Sequence, residues 1–104
     1  MKRLPVHIVP IVWDEIARQV RYIALDSIDN ALAWEDRVTA TLRGLEDFHG
    51  HAVDQDASEQ LGYTVRKLVF ERTYLIHYRV DERAEQIRVV GFRHGARLPR
   101  DGEP

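Results

Sequence analysis

Residues 65–97 read VRKLVFERTYLIHYRVDERAEQIRVVGFRHGAR and contain three runs with the alternation of β-strands. In each run, β-branched and aromatic side chains alternate with polar ones, which is typical of a strand with one buried face. The two connections, 71–73 and 81–85, are short enough for hairpins. The stretch therefore predicts three consecutive antiparallel strands, over residues 65–70, 74–80 and 86–93.

The half of the chain before this stretch carries helical patterns. A short apolar run, 6–9, ends at Pro10 and predicts a strand, because proline cannot donate a ladder hydrogen bond. Apolar residues then recur at three- and four-residue steps, which predicts helices over residues 13–26 and 29–48. Ser27 or Asp29 is the expected cap of the second helix. Residues 49–62 are polar without a clear period and predict a loop.

These elements predict one domain covering residues 1–104, with an α+β fold in the order β-α-α-β-β-β. An antiparallel sheet packed against an N-terminal helical hairpin is the two-layer arrangement that buries both apolar surfaces. Tyr74 and Tyr78 are predicted to pack in the core, and Trp13 and Trp34, on the apolar helix stripes, to be core or helix-contact residues. With 44% hydrophobic and 31% charged residues, the composition indicates a folded chain rather than a disordered one.

Several classes of chemistry are excluded by what the sequence lacks. The chain has no cysteine, so it has no disulfide framework, catalytic thiolate or cysteine-based zinc site. It contains no phosphate-binding loop and no nucleophile-elbow motif. His49 and His51 lie near Asp54 and Asp56, but nothing in the spacing defines a ligand geometry, so neither a metal nor a cofactor is expected. No long apolar run predicts a signal peptide or membrane span, and a cytoplasmic location is expected.

Charge is distributed unevenly along the chain. The net charge is −2, so no overall positive field favours nucleic acid, and direct DNA binding is not expected. Acidic residues concentrate before Tyr63, whereas arginines dominate after it. The planar guanidinium suits carboxylate or phosphate groups better than an ammonium does. Two interpretations stay open: a binding surface for an anionic partner, or a solvated sheet face paired with internal acids.

Several short pieces together resemble toxins of the ParE/RelE superfamily, the toxic members of bacterial type II toxin–antitoxin pairs. The resemblance covers residues 6–97 in order and spacing, and it implies the RelE/ParE-like fold. The pieces that carry it are the strand–helix–helix start, Tyr22-Ile23, the segment 59–62 leading into Arg66, the 74–80 strand, and His94-Gly95-Ala96-Arg97.

The resemblance implies two alternative mechanisms. RelE-like members are ribosome-dependent endoribonucleases, for which Arg66, His94 and Arg97 would be catalytic. The arginines would clamp a phosphate and His94 would act as general acid or base. ParE-like members inhibit DNA gyrase by protein contact. The acidic net charge, the single lysine of the strands and the lack of a tyrosine after His94 favour gyrase over the ribosome and mRNA as the target.

The resemblance also implies a cognate antitoxin, whose acidic C-terminal segment wraps over the toxin. The expected partner-binding residues are Arg66, Arg72, Arg88, Arg93 and Arg97, which would meet carboxylates of the antitoxin. Simpler roles stay open for two of the site residues. Arg66 would pair with Glu71 inside the sheet, and His94 would only bond to backbone. A third hypothesis is a homologue that still binds an antitoxin but is no longer toxic.

Overall fold

The computed structural model describes residues 1–95, so the predicted site residue Arg97 lies outside the described part of the chain. A short 3₁₀ turn, Gly44–Glu46, extends the second helix. In chain order the elements are β1 (Val6–Ile8), α1 (Pro10–Ala24), α2 (Ile28–Arg43), α3 (Gln55–Leu61), β2 (Arg66–Phe70), β3 (Tyr74–Asp81) and β4 (Gln86–His94).

The four strands form one mixed sheet in the order β1-β4-β3-β2. β2 with β3 and β3 with β4 are antiparallel, which confirms the predicted hairpins. β1 is parallel to β4, with Val6 opposite Ile87, so the prediction of a wholly antiparallel sheet was wrong. A hairpin-length connection forces antiparallel pairing only between strands that are close in sequence. No such connection joins β1 to β4.

The first two helices begin earlier and end earlier than predicted. α1 begins at Pro10. Proline is tolerated in the first turn because the backbone N–H groups there have no helical partner, so the missing N–H of proline costs no hydrogen bond. Asp14 and Glu15, which a start at residue 13 would place in the first turn, therefore lie beyond that turn. α2 is capped by Ser27, whose Oγ accepts the Asn30 N–H at 3.1 Å, as one of the two predicted caps.

The predicted loop over residues 49–62 was wrong in its second half, where α3 forms. Asp54 caps this helix, with Oδ1 accepting the Ala57 N–H at 3.1 Å. Gly62 ends it in the left-handed region, with φ of 80°, where glycine is favoured. None of its side chains is buried, so it has no apolar stripe for a periodicity argument to detect.

One face of the sheet, called here the core face, packs with residues of α1 and α2. Trp34, Tyr74 and Tyr78 are buried, which confirms three of the predicted core residues. Trp13 is 48% exposed and lies outside the core, which leaves only the helix-contact alternative predicted for it. It lies about 100° around the helix from buried Val12. The cluster contains Leu4, Val12, Ile16, Trp34, Val38, Leu42, Leu45, Phe70, Tyr74, Ile76, Tyr78, Ile87, Val89 and Phe92.

No helix within residues 1–95 combines the length and apolar character needed to span a membrane.

Candidate functional site

Arg66 lies at the start of β2, directly opposite Tyr78 of β3. Its guanidinium Nη1 donates to the backbone carbonyl of His51 at 2.6 Å. The expected alternative, an ion pair with Glu71, does not form, since Glu71 lies 2.6 Å from the Nε of Arg37 instead. Arg66 therefore joins the sheet to the segment that precedes α3.

His51 and Tyr78 complete this cluster. The His51 backbone N–H donates to the Tyr78 hydroxyl at 3.1 Å, and the His51 Nδ1 lies 2.7 Å from the same oxygen. Burial lowers the pKa of His51, and the charge of Arg66 lowers it further. Burial also raises the pKa of Tyr78, against the opposing effects of His51 and Arg66. The ring is therefore neutral and the phenol protonated near pH 7, which lets the hydroxyl donate to Nδ1.

Arg66 also lines a cleft of about 390 Å³ beside the N-terminus. Lys2 and Glu85 form an ion pair there, and Glu82 adds a second carboxylate. The cleft thus mixes cations and anions and has no dominant charge. Its walls are Met1, Lys2, Leu4, His49, Gly50, Arg66, Val80, Glu82 and Glu85.

His94 lies at the other end of the sheet, opposite Tyr74. Its ring packs edge-on against Tyr74, with the ring centroids 5.2 Å apart. The neighbouring groove, between α1 and the end of β4, has a volume of about 700 Å³. The lining residues are Glu15, Arg18, Gln19, Tyr22, Phe92, Arg93 and His94.

The structure does not bring Arg66 and His94 together. Their partners on β3, Tyr78 and Tyr74, are separated by four residue steps, which correspond to about 13 Å along the strand. The two residues also belong to β2 and β4, which lie on either side of β3 and about 10 Å apart. One phosphate group cannot contact both side chains at this separation.

The remaining predicted partner-binding arginines are dispersed. Arg72 is exposed at the tip of the β2–β3 hairpin, where it adopts a left-handed φ of 58°. Arg88 and Arg93 lie on β4, on the face of the sheet opposite to the core face, which is called here the outer face. Within residues 1–95 none of these three arginines forms an ion pair.

Two contacts attach the α3 segment to the outer face. His77 Nε2 lies 2.8 Å from Asp54 Oδ2, and the guanidinium of Arg79 lies over the Tyr63 ring, 4.6 Å from its centroid. Burial alone would raise the pKa of Asp54. The His77 hydrogen bond, the Ala57 N–H and the charges of His77 and Lys67 outweigh burial and lower it.

Sequence reasoning missed His51, Asp54 and Tyr63, because their contacts join distant parts of the chain. The spacing of the loop histidines and aspartates gives no indication of these contacts. Within residues 1–95 no group of three or more His, Cys, Asp or Glu side chains is placed to hold a metal ion. His51 and Asp54 are engaged by Tyr78 and His77 instead.

An exposed apolar surface, called here the helical-turn patch, surrounds the connection between α1 and α2. Leu25 is 85% exposed at this turn. Single exposed apolar residues are ordinary, but several together are typical of interaction surfaces. The patch consists of Tyr22, Leu25, Ile28 and Leu32.

Comparison with known proteins gives a match to a family model. The family is described as "ParE toxin of type II toxin-antitoxin system, parDE", and the match covers residues 7–99 of the 104. No curated protein and no solved structure matches the chain.

Proposed function

The chain belongs to the ParE toxin family of type II toxin–antitoxin systems, and from that premise we propose that it inhibits DNA gyrase by protein–protein contact. In this proposal it acts in the cytoplasm and is neutralised by a cognate antitoxin. Membership in the family gives the toxin role and implies the antitoxin partner. The choice of gyrase rests on the arrangement of the site residues.

The separation of Arg66 from His94 is the observation that carries this choice. RNA cleavage without a metal needs a base, an acid and a cation around one phosphate, each within hydrogen-bond reach. The two residues lie at opposite ends of β3, and Arg66 is already bonded to the His51 carbonyl. Tyr78, directly opposite Arg66, is fully buried. This arrangement favours binding over catalysis.

The surface of the protein favours binding of an antitoxin that has both apolar and acidic side chains. The helical-turn patch offers large apolar side chains to a partner helix. Arg72, Arg88 and Arg93 have no ion-pair partner within the described residues and are available to carboxylates. Among the predicted partner-binding residues within 1–95, Arg66 is the least available, because it donates to the His51 carbonyl. Arg97 keeps its proposed role on the resemblance alone.

Two activity assays, run in parallel, test the proposal. The purified chain is added to a gyrase supercoiling reaction and to a reconstituted translation reaction in which mRNA integrity is followed. Inhibited supercoiling with intact mRNA is the expected result, and added antitoxin should relieve the inhibition.

Ribosome-dependent mRNA cleavage that is lost in Arg66→Ala or His94→Ala would instead establish the ribonuclease. A chain that binds its antitoxin but affects neither reaction would establish the non-toxic homologue. Either result overturns the gyrase proposal.

A further inference from the structure

One segment, residues 51–64, lies on the edge and the outer face of the sheet, outside the hydrophobic core. Within the described residues, the core cluster and the partly buried hydrophobic side chains packed against it include no residue between Leu45 and Leu68. α3 lies inside this segment, and none of its side chains is buried. Residues 51–64 are called here the strap.

The start of the strap is attached to β2 by backbone hydrogen bonds. β2 is an edge strand of the sheet, so one row of its backbone groups has no neighbouring strand. The Asp54 N–H donates to the Val65 carbonyl at 2.9 Å. The Lys67 N–H donates to the Ala52 carbonyl, also at 2.9 Å. The strap therefore occupies the start of this edge, where another strand would otherwise pair.

Polar side-chain contacts also hold the strap. Oδ2 of Asp54 lies 2.8 Å from Nε2 of His77. The Ser58 Oγ accepts the Val65 N–H at 2.9 Å, and the Tyr63 ring packs against a guanidinium. The net contribution of such contacts is modest, because the same groups bond to water when the strap is detached. Detachment leaves the core cluster intact, so it should cost much less free energy than unfolding of the protein.

Asp54 links the parts of the strap. Its backbone N–H bonds to Val65, its Oδ1 caps α3, and its Oδ2 contacts His77. Loss of the contacts at this one residue removes the helix cap and two of the attachments at once. The parts of the strap should therefore detach together rather than one by one.

The strap also restrains Arg66, at the start of β2. The Nη1 of Arg66 donates to the carbonyl of His51, the first residue of the strap, at 2.6 Å. His51 is held in turn by the Tyr78 hydroxyl, which contacts both its backbone N–H and its Nδ1. Detachment of the strap breaks the bond to the carbonyl and leaves the guanidinium free.

We propose that the strap opens as one unit while the rest of the fold stays intact, and that this opening controls access to Arg66 and to the edge of β2. In the closed state, the guanidinium is bonded to the strap and the start of the edge is paired. In the open state, both are free to bind. The opening is a property of the free protein, so it holds whichever target the protein has.

Hydrogen exchange of single amides, followed by NMR, measures the opening. Four N–H groups report on the strap because they donate within it or across its attachment: Asp54, Ser58, Gly62 and Lys67. Their protection factors should agree within about threefold, and amides in the middle of β3 and β4 should be protected at least about 100-fold more strongly. Equal protection of strap and core, or unrelated values among the four strap amides, would overturn the proposal.

A matched pair of variants tests the contact that closes the strap. His77→Leu removes the hydrogen bond to Asp54 and should lower the protection of all four strap amides by about tenfold, with the amides of β4 unchanged. His7→Leu makes the same change at an exposed position of the outer face and should leave the strap unchanged. Equal effects of the two variants, or a loss of protection spread equally over strap and core, would contradict the proposal.

Access to Arg66 is measured separately with phenylglyoxal, which modifies arginine side chains. Peptide mapping should show that Arg66 is modified about tenfold faster in His77→Leu than in the unmodified chain. Arg43, which is exposed on α2, should react at the same rate in both proteins. An unchanged rate at Arg66 would show that the strap does not control this residue.

A disulfide that locks the strap gives an independent test. Val53 of the strap is opposite Arg66, between the two backbone bonds, where Cα atoms of antiparallel strands are about 4.5 Å apart. This separation suits a disulfide, and the chain has no cysteine of its own to compete. In Val53→Cys combined with Arg66→Cys, oxidation should raise the protection of the Asp54 and Lys67 amides by at least about tenfold, and reduction should reverse it. Identical protection in the oxidised and reduced forms would overturn the proposal.

Discussion

The imidazole Nε2 of His77, in the middle of β3, lies 2.8 Å from Oδ2 of Asp54, the residue that caps α3. Asp54 also donates its backbone N–H to the carbonyl of Val65 at 2.9 Å and accepts the Ala57 N–H through its other carboxylate oxygen. Through its backbone and its side chain, Asp54 therefore joins the start of α3 to the residue before β2 and to the outer face. These contacts position the segment that also contains Tyr63, whose ring packs against the guanidinium of Arg79.

Replacement of Asp54 should separate its two side-chain roles. Asp54→Ala removes the helix cap and the His77 contact and should lower the free energy of unfolding by about 2 kcal/mol. Asp54→Asn keeps a good capping residue and should cost about half as much. Urea denaturation measures both. Asp56→Asn, an exposed neighbour in the first turn of α3, is the control and should change little. Equal losses for the Asn and Ala variants would contradict a separate role for the cap.

The same carboxylate should make stability depend on pH in a defined direction. The fold lowers the pKa of Asp54 from 3.8, because the interactions with His77, Ala57 and Lys67 outweigh burial. A carboxyl with a lowered pKa contributes stability above its unfolded pKa and loses it as the pH falls through the folded value. The stability difference between the unmodified chain and Asp54→Asn should thus shrink as the pH falls below 3.8. Denaturation curves at a series of pH values measure it; a difference that grows on acidification would refute it.

The β2–β3 hairpin should be stabilised by a glycine. Glu71 and Arg72 have φ of 50° and 58°, in the left-handed region where a side chain costs about 1 kcal/mol. Arg72→Gly should raise the free energy of unfolding by about that amount. Arg83→Gly is the matched control, since Arg83 is an exposed turn residue without a positive φ and should gain nothing. If Arg72 contacts a partner, the same variant will bind antitoxin more weakly while being more stable. A loss of stability would show that the turn is not strained.

The His51–Tyr78 contact should support the fold rather than the activity. Tyr78→Phe removes a hydroxyl that contacts both the backbone N–H and the ring nitrogen of His51 in a part-buried position. The variant leaves the backbone N–H and the Nδ1 of His51 without this partner, which should lower the free energy of unfolding by about 2 kcal/mol. Gyrase inhibition per folded molecule should be unchanged. Tyr63→Phe keeps the ring under Arg79 and is the control for loss of a phenol. Loss of activity in a folded Tyr78→Phe protein would contradict this assignment.

The helical-turn patch should be required for antitoxin binding. Leu25→Glu places a charge where the proposed partner helix buries apolar surface and should weaken antitoxin binding by at least about tenfold. Stability should change by no more than about 0.5 kcal/mol, because Leu25 is exposed. Ala40→Glu introduces the same charge on an exposed position of α2 and should bind normally. Titration calorimetry with purified antitoxin compares the two. Equal affinities would place the antitoxin elsewhere.

Local patterns in the sequence were sufficient for much of the architecture. The alternation in residues 65–94 gave the three C-terminal strands and their hairpins, because the period of buried side chains along a strand is a property of that strand alone. The apolar stripes around Val12 and Trp34 gave the two long helices for the same reason. α3 was not predicted, since it buries nothing and is stabilised by its caps, Asp54 and Gly62.

What only the tertiary structure decided was which side chains face each other. Three contacts join residues that no local period relates. They are the parallel pairing of β1 with β4, the hydrogen bond from Arg66 to the His51 carbonyl, and the hydrogen bond between His77 and Asp54. The register between β3 and β4 is the clearest case. A register shift between His77 and Tyr78 sets Arg79 opposite Arg88. Without that bulge Arg79 would lie opposite Val89 instead. A one-residue change of register exchanges the faces of a strand, and that choice is made by the packing of the whole sheet.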